Sequence, residues 1–106
     1  MAKDKLPSIS VVIPCYNEGK TIYRNVAQIE NYLSNIFSDF EIIAVNDGST
    51  DNTSLELAKI RANPGVPVKI INCPQNEGKG AAVKKGMLAS RNEIVMFLDA
   101  DLAIPI

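Results

Sequence analysis

Two carboxylates separated by a single residue, Asp99 and Asp101, are the side chains of this sequence best suited to chemistry. They follow the apolar run 94–98, which is typical of a strand buried on both faces of a parallel sheet. Continued strand geometry would place both carboxylates on one side, roughly 6 Å apart, where they repel by about 3 kcal/mol at an effective dielectric near 20. A divalent cation would relieve that repulsion. The alternative is a solvated strand end that caps a turn before Pro105, and the local sequence leaves both interpretations open.

Polar loops also follow two earlier apolar runs. Residues 9–13 end at Pro14 and lead into the loop 15–19, and residues 41–45 lead into the loop 46–51. A third loop, 74–80, precedes a helical pattern and carries a glycine on each side of Lys79. Such glycines can expose backbone amides to an anion, although a tight strand-to-helix turn is the more common reason for them. The spacing matches neither the Walker loop nor the dinucleotide fingerprint.

The elements that carry these loops alternate between strands and helices. We predict strands at 9–13, 41–45, 66–73 and 94–98, with the third at a sheet edge because of Pro67. We predict that Asp51 is the N-cap of the second helix, 53–62. The inward-facing residues predicted for the three helices are, in order, Ile22, Val26, Ile29, Leu33 and Ile36; Leu55, Ala58 and Ile60; and Ala82, Val83, Met87 and Ala89.

Crossovers of this length predict parallel pairing with right-handed connections. Such a sheet most often runs 3-2-1-4, and the chain then reverses between strands one and four. The loop after Pro14 would face Asp99 and Asp101 across that switch point, with Asp47 beside them at the end of strand two. The sequence therefore predicts one site built from three separated stretches.

The composition excludes several classes of function. The chain has 106 residues, of which 46% are hydrophobic and 22% charged, as expected of a single globular domain. Its net charge is −1 and its Lys and Arg residues are dispersed, so we expect no nucleic acid partner. With no histidine, this chain has neither a His-based zinc site nor a His general base, and any metal must bind oxygen atoms.

The cysteines and the terminus bear on location. Cys15 and Cys73 are far apart in the sequence and predict reduced thiols in an intracellular protein. Residues 1–5 lack the apolar region of a signal peptide, and no run approaches transmembrane length. We therefore expect a cytoplasmic protein that could be membrane-associated in a longer form.

Four motifs, in this order and at this spacing, resemble those of the family 2 glycosyltransferases. They are residues 11–18 (VVIPCYNE), 46–51 (NDGSTD), 76–82 (NEGKGAA) and 98–102 (LDADL). Within that family the chain looks most like the polyprenyl (dolichyl) phosphate glucosyl- and mannosyltransferase branch. The resemblance implies a GT-A fold, of which this chain is the N-terminal half: a three-layer α/β/α, Rossmann-like parallel sheet.

The resemblance also implies a donor site for a UDP- or GDP-linked sugar. Pro14, Tyr16 and Glu18 would line the nucleoside pocket, Asp47 would contact the base or ribose, and the loop around Gly78 would close over the nucleotide. The DXD motif would hold Mg²⁺ or Mn²⁺ against the diphosphate, with Asp99 and Asp101 as the ligands, and oxygen ligands suit such a hard cation. The nucleotide-sugar-binding residues implied are Pro14, Tyr16, Asn17, Glu18, Asp47, Gly78, Lys79, Asp99, Ala100 and Asp101.

Three departures from the family pattern qualify this interpretation. Asn46 stands where many members have an Asp, and Ala103 stands where some mannosyl-phosphate synthases have a polar metal ligand, which favours a glucosyl-type or other branch. The chain also stops at Ile106, directly after the metal motif. We therefore expect a donor-binding half, residues 1–106, that lacks the acceptor half and transfers sugar poorly alone.

The acceptor that this branch implies is a polyprenyl phosphate, and the catalytic base is not identifiable in this chain. Family members invert the anomeric centre by direct displacement. A non-catalytic nucleotide-binding module is the alternative function, and a generic doubly wound domain is a third. A sheet that ends at strand four should expose apolar surface, so we also expect self-association.

Overall fold

The computed structural model describes residues 6–63 and 65–100. Within these residues, four parallel strands alternate with three helices, and the sheet order is β3-β2-β1-β4. The predicted fold class and strand order are therefore confirmed. The elements are β1 (Leu6–Cys15), α1 (Ile22–Ile36), β2 (Phe37–Asp47), α2 (Thr53–Arg61), β3 (Val68–Cys73), α3 (Lys79–Leu88) and β4 (Val95–Phe97).

The core lies on both faces of the two central strands, which gives three layers. On one face Val11 and Ile13 pack with residues of α1 and α2, and on the other Val12 packs with Ala82 of α3. Successive side chains of a strand point to opposite faces, so a strand covered by helices on both faces needs an unbroken apolar run. That requirement explains the sequence of β1 and β2.

Proline marks the strand ends less sharply than predicted. We expected Pro14 to close β1, but β1 continues to Cys15, and Pro14 is the register partner of Val45. Proline lacks only the N–H, so it is tolerated one residue before the strand ends. Pro67 lies just before β3, where its carbonyl accepts a hydrogen bond from Ile42 N at 2.9 Å. The edge position of β3 is confirmed.

Four of the five inward-facing residues predicted for α1 are buried and the fifth, Ile36, is half-buried, whereas the inward face predicted for α2 is wrong in part. Ile60 is buried as expected, but Ala58 is exposed and Leu55 is 67% exposed. The buried residues of α2 are Thr53, Leu57 and Ile60, spaced four and three apart. The Thr53 hydroxyl accepts a hydrogen bond from Glu18 N at 2.9 Å. This contact turns Thr53, the first residue of α2, toward the interior and so sets which face of the helix is buried.

The N-cap predicted for α2 is displaced by one residue. Asn52 is the N-cap residue and its side chain makes no capping hydrogen bond. Asp51 instead accepts a hydrogen bond from the amide of Thr53 at 2.9 Å. Asp51 thus satisfies a helix amide, as predicted, but from the position before the N-cap.

Helix α3 lies closer to the sheet than its apolar pattern predicts. Ala82 and Gly86 are its buried residues, Val83 and Ala89 are half-buried, and Met87 is exposed, contrary to our expectation. A Cβ at Gly86 would lie 2.3 Å from Cγ1 of Val12. The glycine, rather than Met87, therefore lies against the sheet.

The burial predicted for the fourth strand is wrong. β4 is Val95–Phe97 and not 94–98, and Ile94, Met96 and Phe97 are exposed, Phe97 by 49%. In the part of the chain that the structure describes, β4 pairs only with β1 and forms the edge of the sheet. Strand side chains point to the faces of the sheet, and the described helices pack mainly on β1, β2 and β3, so the side chains of β4 are left uncovered. The expected self-association through this surface stays a prediction.

A buried carboxylate ties the loop before β4 to the two central strands. Glu41 accepts hydrogen bonds from Ser10 Oγ at 2.6 Å and from Arg91 N at 2.7 Å, and it forms an ion pair with Lys69 at 3.2 Å. Burial raises the pKa of Glu41, but the hydrogen bonds and the Lys69 charge together lower it by more. The pKa of Glu41 therefore lies below its usual value of 4.5. The charged form is therefore the stabilising one.

We expect Glu41→Gln to lower the free energy of unfolding at pH 7 by about 2 kcal/mol, because it replaces a charged acceptor of buried donors. A carboxylate whose pKa is lower in the folded state than in the unfolded state stabilises the fold at pH values above its unfolded-state pKa. This stabilisation is lost as the pH falls through its folded-state pKa. Stability should thus fall less between pH 7 and pH 4 in the variant than in the wild type. Urea unfolding at both pH values measures this. Glu93→Gln, at an exposed position, is the control, and an equal pH dependence in all three proteins would contradict the role of Glu41.

Candidate functional site

A cavity of about 450 Å³ opens at the carboxyl ends of the strands. It lies at the switch point between β1 and β4, with the end of β2 beside it, where ligands of open α/β sheets bind. The three separated stretches that the strand order predicts to meet do line one crevice, and the loop before α3 with the first residue of that helix adds a fourth stretch. The lining residues are Pro14, Cys15, Tyr16, Glu18, Asp47, Asn76, Lys79, Asp99 and Ala100.

The crevice contains most, but not all, of the residues expected to bind the donor. Asn17 and Gly78 do not line it and instead shape the loops around it. Asp101 lies outside the described residues, so its predicted separation from Asp99 is not tested. Cys15 and Asn76 line the crevice without having been predicted as site residues. Asn76 does belong to the third motif, which is the signal that could have identified it.

Asp47 anchors the loop that precedes α3. Its side chain is buried, and its carboxylate oxygens accept hydrogen bonds from Glu77 N at 2.9 Å, from Gly78 N at 3.0 Å and from Asn76 Nδ2 at 3.2 Å. Hydrogen bonds to an ionised acceptor are stronger than those between neutral groups. The carboxylate expected to contact a nucleotide therefore also fixes one wall of the crevice.

Asn17 anchors the loop after β2 by hydrogen bonds. Its φ of 53° lies in the left-handed region, which Asn tolerates better than most residues. Its backbone N donates a hydrogen bond to Ser49 Oγ at 3.0 Å, and its side-chain Oδ1 accepts one from Thr50 N at 2.8 Å. These contacts hold the first and second motifs together although about 30 residues separate them.

Asp51 reinforces this connection between the first two motifs. Its carboxylate accepts hydrogen bonds from the hydroxyl and amide of Thr53 and, at 3.0 Å, from Gly19 N. The Thr53 hydroxyl contributes most to lowering the pKa of Asp51. The charged carboxylate thus connects the start of α2 to the loop that follows β1.

Two glycines make the loop 74–80 sterically possible. Gly48, at φ +70°, has the backbone nitrogen of Asn76 2.3 Å from where a Cβ would stand. Gly78, at φ +100°, is the N-cap residue of α3 and has open space around it. Backbone angles in this region favour glycine, because other residues clash with the neighbouring carbonyl. Gly48 also allows two backbone segments to approach closely.

Lys79, the first residue of α3, forms an ion pair with Asp99. Its ammonium nitrogen also lies 5.5 Å from the centre of the Phe97 ring, within cation–π distance. Both charged side chains are about half-exposed. A positive charge therefore already faces the carboxylate that was predicted to bind a metal.

The crevice is acidic as a whole. Glu18, Asp47 and Asp99 contribute three carboxylates to its lining, whereas Lys79 contributes the one ammonium group among the residues that line it. Carboxylates are ligands that Mg²⁺ prefers, and the Asp99 carboxylate pairs with the Lys79 ammonium. Within residues 6–63 and 65–100, however, no three His, Cys, Asp or Glu side chains are placed so that together they could hold a metal ion. A metal here would need Asp101 or ligands from the bound molecule.

Cys15 is a structural thiol rather than a nucleophile. Burial, with a smaller contribution from the Glu18 charge, raises its pKa to about 12. Its Sγ donates to the carbonyl of Ile13 at 3.3 Å. The thiolate is the reactive form of cysteine, so this side chain stays unreactive at neutral pH. Cys73 is likewise a buried free thiol.

A family model described as glycosyl transferase family 2 matches residues 10–106. The chain belongs to this family. A dolichyl-phosphate beta-glucosyltransferase of Trichomonas vaginalis is 42% identical over 100 residues, which cover 90% of this chain and 29% of that protein. The resemblance to the dolichyl phosphate branch is thus supported by a named relative.

Solved structures confirm the GT-A fold. TarS of S. aureus (residues 1–349), in complex with UDP-GlcNAc, matches with a TM-score of 0.73 and 28% identity over 89% of this chain and 26% of that one. Glucosyl-3-phosphoglycerate synthase from Mycobacterium tuberculosis, in complex with Mn²⁺, UDP and glucosyl-3-phosphoglycerate, matches with a TM-score of 0.70 and 28% identity over 91% of this chain and 34% of that one.

The chain spans 29 to 32% of the length of the first three curated relatives it matches. The part that matches the family model, residues 10–106, contains all four motifs. In the part of the chain that the structure describes, no helix combines the length and apolar character needed to cross a membrane.

Proposed function

We propose that this chain is the donor-binding part of a metal-dependent family 2 glycosyltransferase and that the crevice holds a UDP- or GDP-linked sugar. The observation that carries this proposal is the meeting of Tyr16, Asp47 and Asp99 in one cavity at the switch point of the sheet. The volume of about 450 Å³ falls in the range of small-molecule sites. Two solved relatives with this fold contain UDP-GlcNAc or UDP.

Charge supports a metal-dependent site. A diphosphate entering a crevice with three carboxylates and one ammonium group would be repelled. A divalent cation would offset that repulsion by neutralising the excess negative charge, and we propose that Asp99 and Asp101 would hold it. Mg²⁺ and Mn²⁺ both suit oxygen ligands, and one solved relative contains Mn²⁺.

The nucleoside would lie between the first motif and the loop 76–78. Tyr16 offers an aromatic ring at the crevice, and Pro14, the penultimate residue of β1, also lines it. The opposite wall is held by the hydrogen bonds to Asp47 described above. Glycosyl transfer needs the donor to be fixed relative to the acceptor, and a rigid wall on either side of the nucleotide provides that orientation.

The residues of this chain would thus bind and orient the donor. When bound, the cation would stabilise the negative charge that develops on the departing nucleoside diphosphate. We propose transfer with inversion by direct displacement, to a polyprenyl phosphate acceptor, because the relative named above is a dolichyl-phosphate beta-glucosyltransferase. The acceptor residues and any base would lie outside this chain, and the full-length protein would be cytoplasmic and membrane-associated.

A transfer assay tests the function. The full-length protein, incubated with Mn²⁺, a polyprenyl phosphate and radiolabelled UDP-glucose or GDP-mannose, should form a labelled lipid with one of the donors. The 106-residue chain alone should form little or none. Asp99→Asn in the full-length protein should abolish transfer. Unchanged transfer by that variant would contradict the proposed role of Asp99.

The Lys79 ion pair predicts competition with the metal. Lys79→Met should raise the Mn²⁺ affinity of the nucleotide-free chain by about two- to fivefold, because it removes a competing cation whose exposed pairing is weak. The electron paramagnetic resonance signal of free Mn²⁺ reports this affinity. Lys84→Met is the matched control, since Lys84 lies exposed on the same helix. Equal affinities in both variants would show that Lys79 does not compete.

A further inference from the structure

Helix α1 buries one polar side chain in its apolar stripe. Its buried residues are Ile22, Asn25, Val26, Ile29 and Leu33. Asn25 is 6% exposed, and its Nδ2 donates to the carbonyl of Ala100 at 2.6 Å. These two residues are 75 positions apart in the chain, so the contact forms only in the folded protein. A buried amide without a hydrogen-bond partner would destabilise the fold. The hydrogen bond to Ala100 removes that cost.

The contact holds the backbone at the centre of the DXD motif. Directly after β4, Leu98 N donates a hydrogen bond to Val12 O at 3.0 Å. Beyond it, the Ala100 carbonyl is held by Asn25, while the Ala100 side chain is buried in the main core cluster. Both the carbonyl and the side chain of Ala100, the residue that follows Asp99, are therefore held in place.

We propose that Asn25 is a positioning residue for the metal site. It holds the Ala100 carbonyl toward α1 and thereby directs Asp99 into the crevice, where Asp99 lines the cavity and meets Lys79. This inference rests on the proposed function, because it assigns Asn25 to the metal site of that function. Residues that orient metal ligands affect metal affinity strongly although they do not touch the ion.

The test is the Mn²⁺ affinity of Asn25→Leu in the presence of saturating UDP. Leucine has the same number and branching of side-chain heavy atoms as Asn and suits the apolar stripe, but it cannot donate to Ala100. We expect Mn²⁺ affinity to fall about tenfold or more. The signal of free Mn²⁺ in electron paramagnetic resonance measures it without any assay of transfer. Asn31→Leu, the same change at an exposed position of α1, should bind Mn²⁺ like the wild type.

The outcomes separate this inference from the proposed function. A folded Asn25→Leu variant with wild-type affinity for Mn²⁺ would overturn the positioning role alone. No Mn²⁺ binding by the wild-type chain with either UDP or GDP would overturn both. If Asn25→Leu does not fold, Asn25→Ser keeps a hydroxyl that is too short to reach Ala100. It should show the same loss, and wild-type affinity in that variant would also overturn the inference.

Discussion

Asp47→Asn is expected to lower the affinity for UDP or GDP by about tenfold and the free energy of unfolding by about 2 to 3 kcal/mol. Asn has nearly the shape of Asp, but its NH₂ group would face an amide that now donates to a carboxylate oxygen. Glu77 N and Gly78 N are 2.9 and 3.0 Å from the two oxygens, so one of these hydrogen bonds must be lost. The loop 76–78 would then lose its anchor.

Calorimetric titration of nucleotide in the presence of Mn²⁺, together with urea unfolding, measures both effects. Asp39→Asn is the control, because it makes the same change at an exposed residue near the other end of β2. That variant should bind nucleotide like the wild type. Wild-type stability in Asp47→Asn would contradict the anchoring role. Reduced stability with unchanged nucleotide affinity would show that the loop 76–78 does not contribute to nucleotide binding.

Gly48→Ala is expected to lower the free energy of unfolding by at least about 3 kcal/mol. The new Cβ would lie 2.3 Å from both Asn76 N and the carbonyl carbon of Gln75, which are backbone atoms of another loop. One of the two backbone segments must then move. The positive φ of 70° adds the cost that any side chain has in the left-handed region.

Gly65→Ala separates these two costs. Gly65 also has a positive φ, of 90°, but nothing lies within 4 Å of its Cβ position. It should therefore lose only the backbone cost of about 1 to 2 kcal/mol. Urea unfolding of both variants gives the comparison. Equal losses would show that the close approach of the loops at Gly48 does not contribute to stability.

The sheet and the crevice were predictable because they depend on strong, local signals. Unbroken apolar runs identify strands covered on both faces, and crossovers of this length imply parallel pairing. Once the order 3-2-1-4 is accepted, Asp47 and Asp99 must end at the same edge of the sheet. The position of Tyr16 beside them follows from the loop after β1.

The rest depended on contacts between residues far apart in the sequence. The rotation of α2 follows from the hydrogen bond between Glu18 N and Thr53, which an apolar pattern does not contain. The exposure of Phe97 depends on which strands the helices cover, and an apolar run does not contain that information. Asn25 interrupts an apolar stripe, a signal visible in the sequence, but its partner Ala100 is visible only in the fold.

The most direct test of the donor site is a calorimetric titration of UDP and then GDP into the chain, with and without Mn²⁺. It is repeated on Asp99→Asn, on Asp101→Asn and on the control Asp39→Asn. We predict Mn²⁺-dependent binding of one nucleotide that is lost in Asp99→Asn and Asp101→Asn and retained in the control. A folded chain that binds neither nucleotide, or binds one equally well without Mn²⁺ and in Asp99→Asn, would contradict a metal-dependent donor site in this crevice.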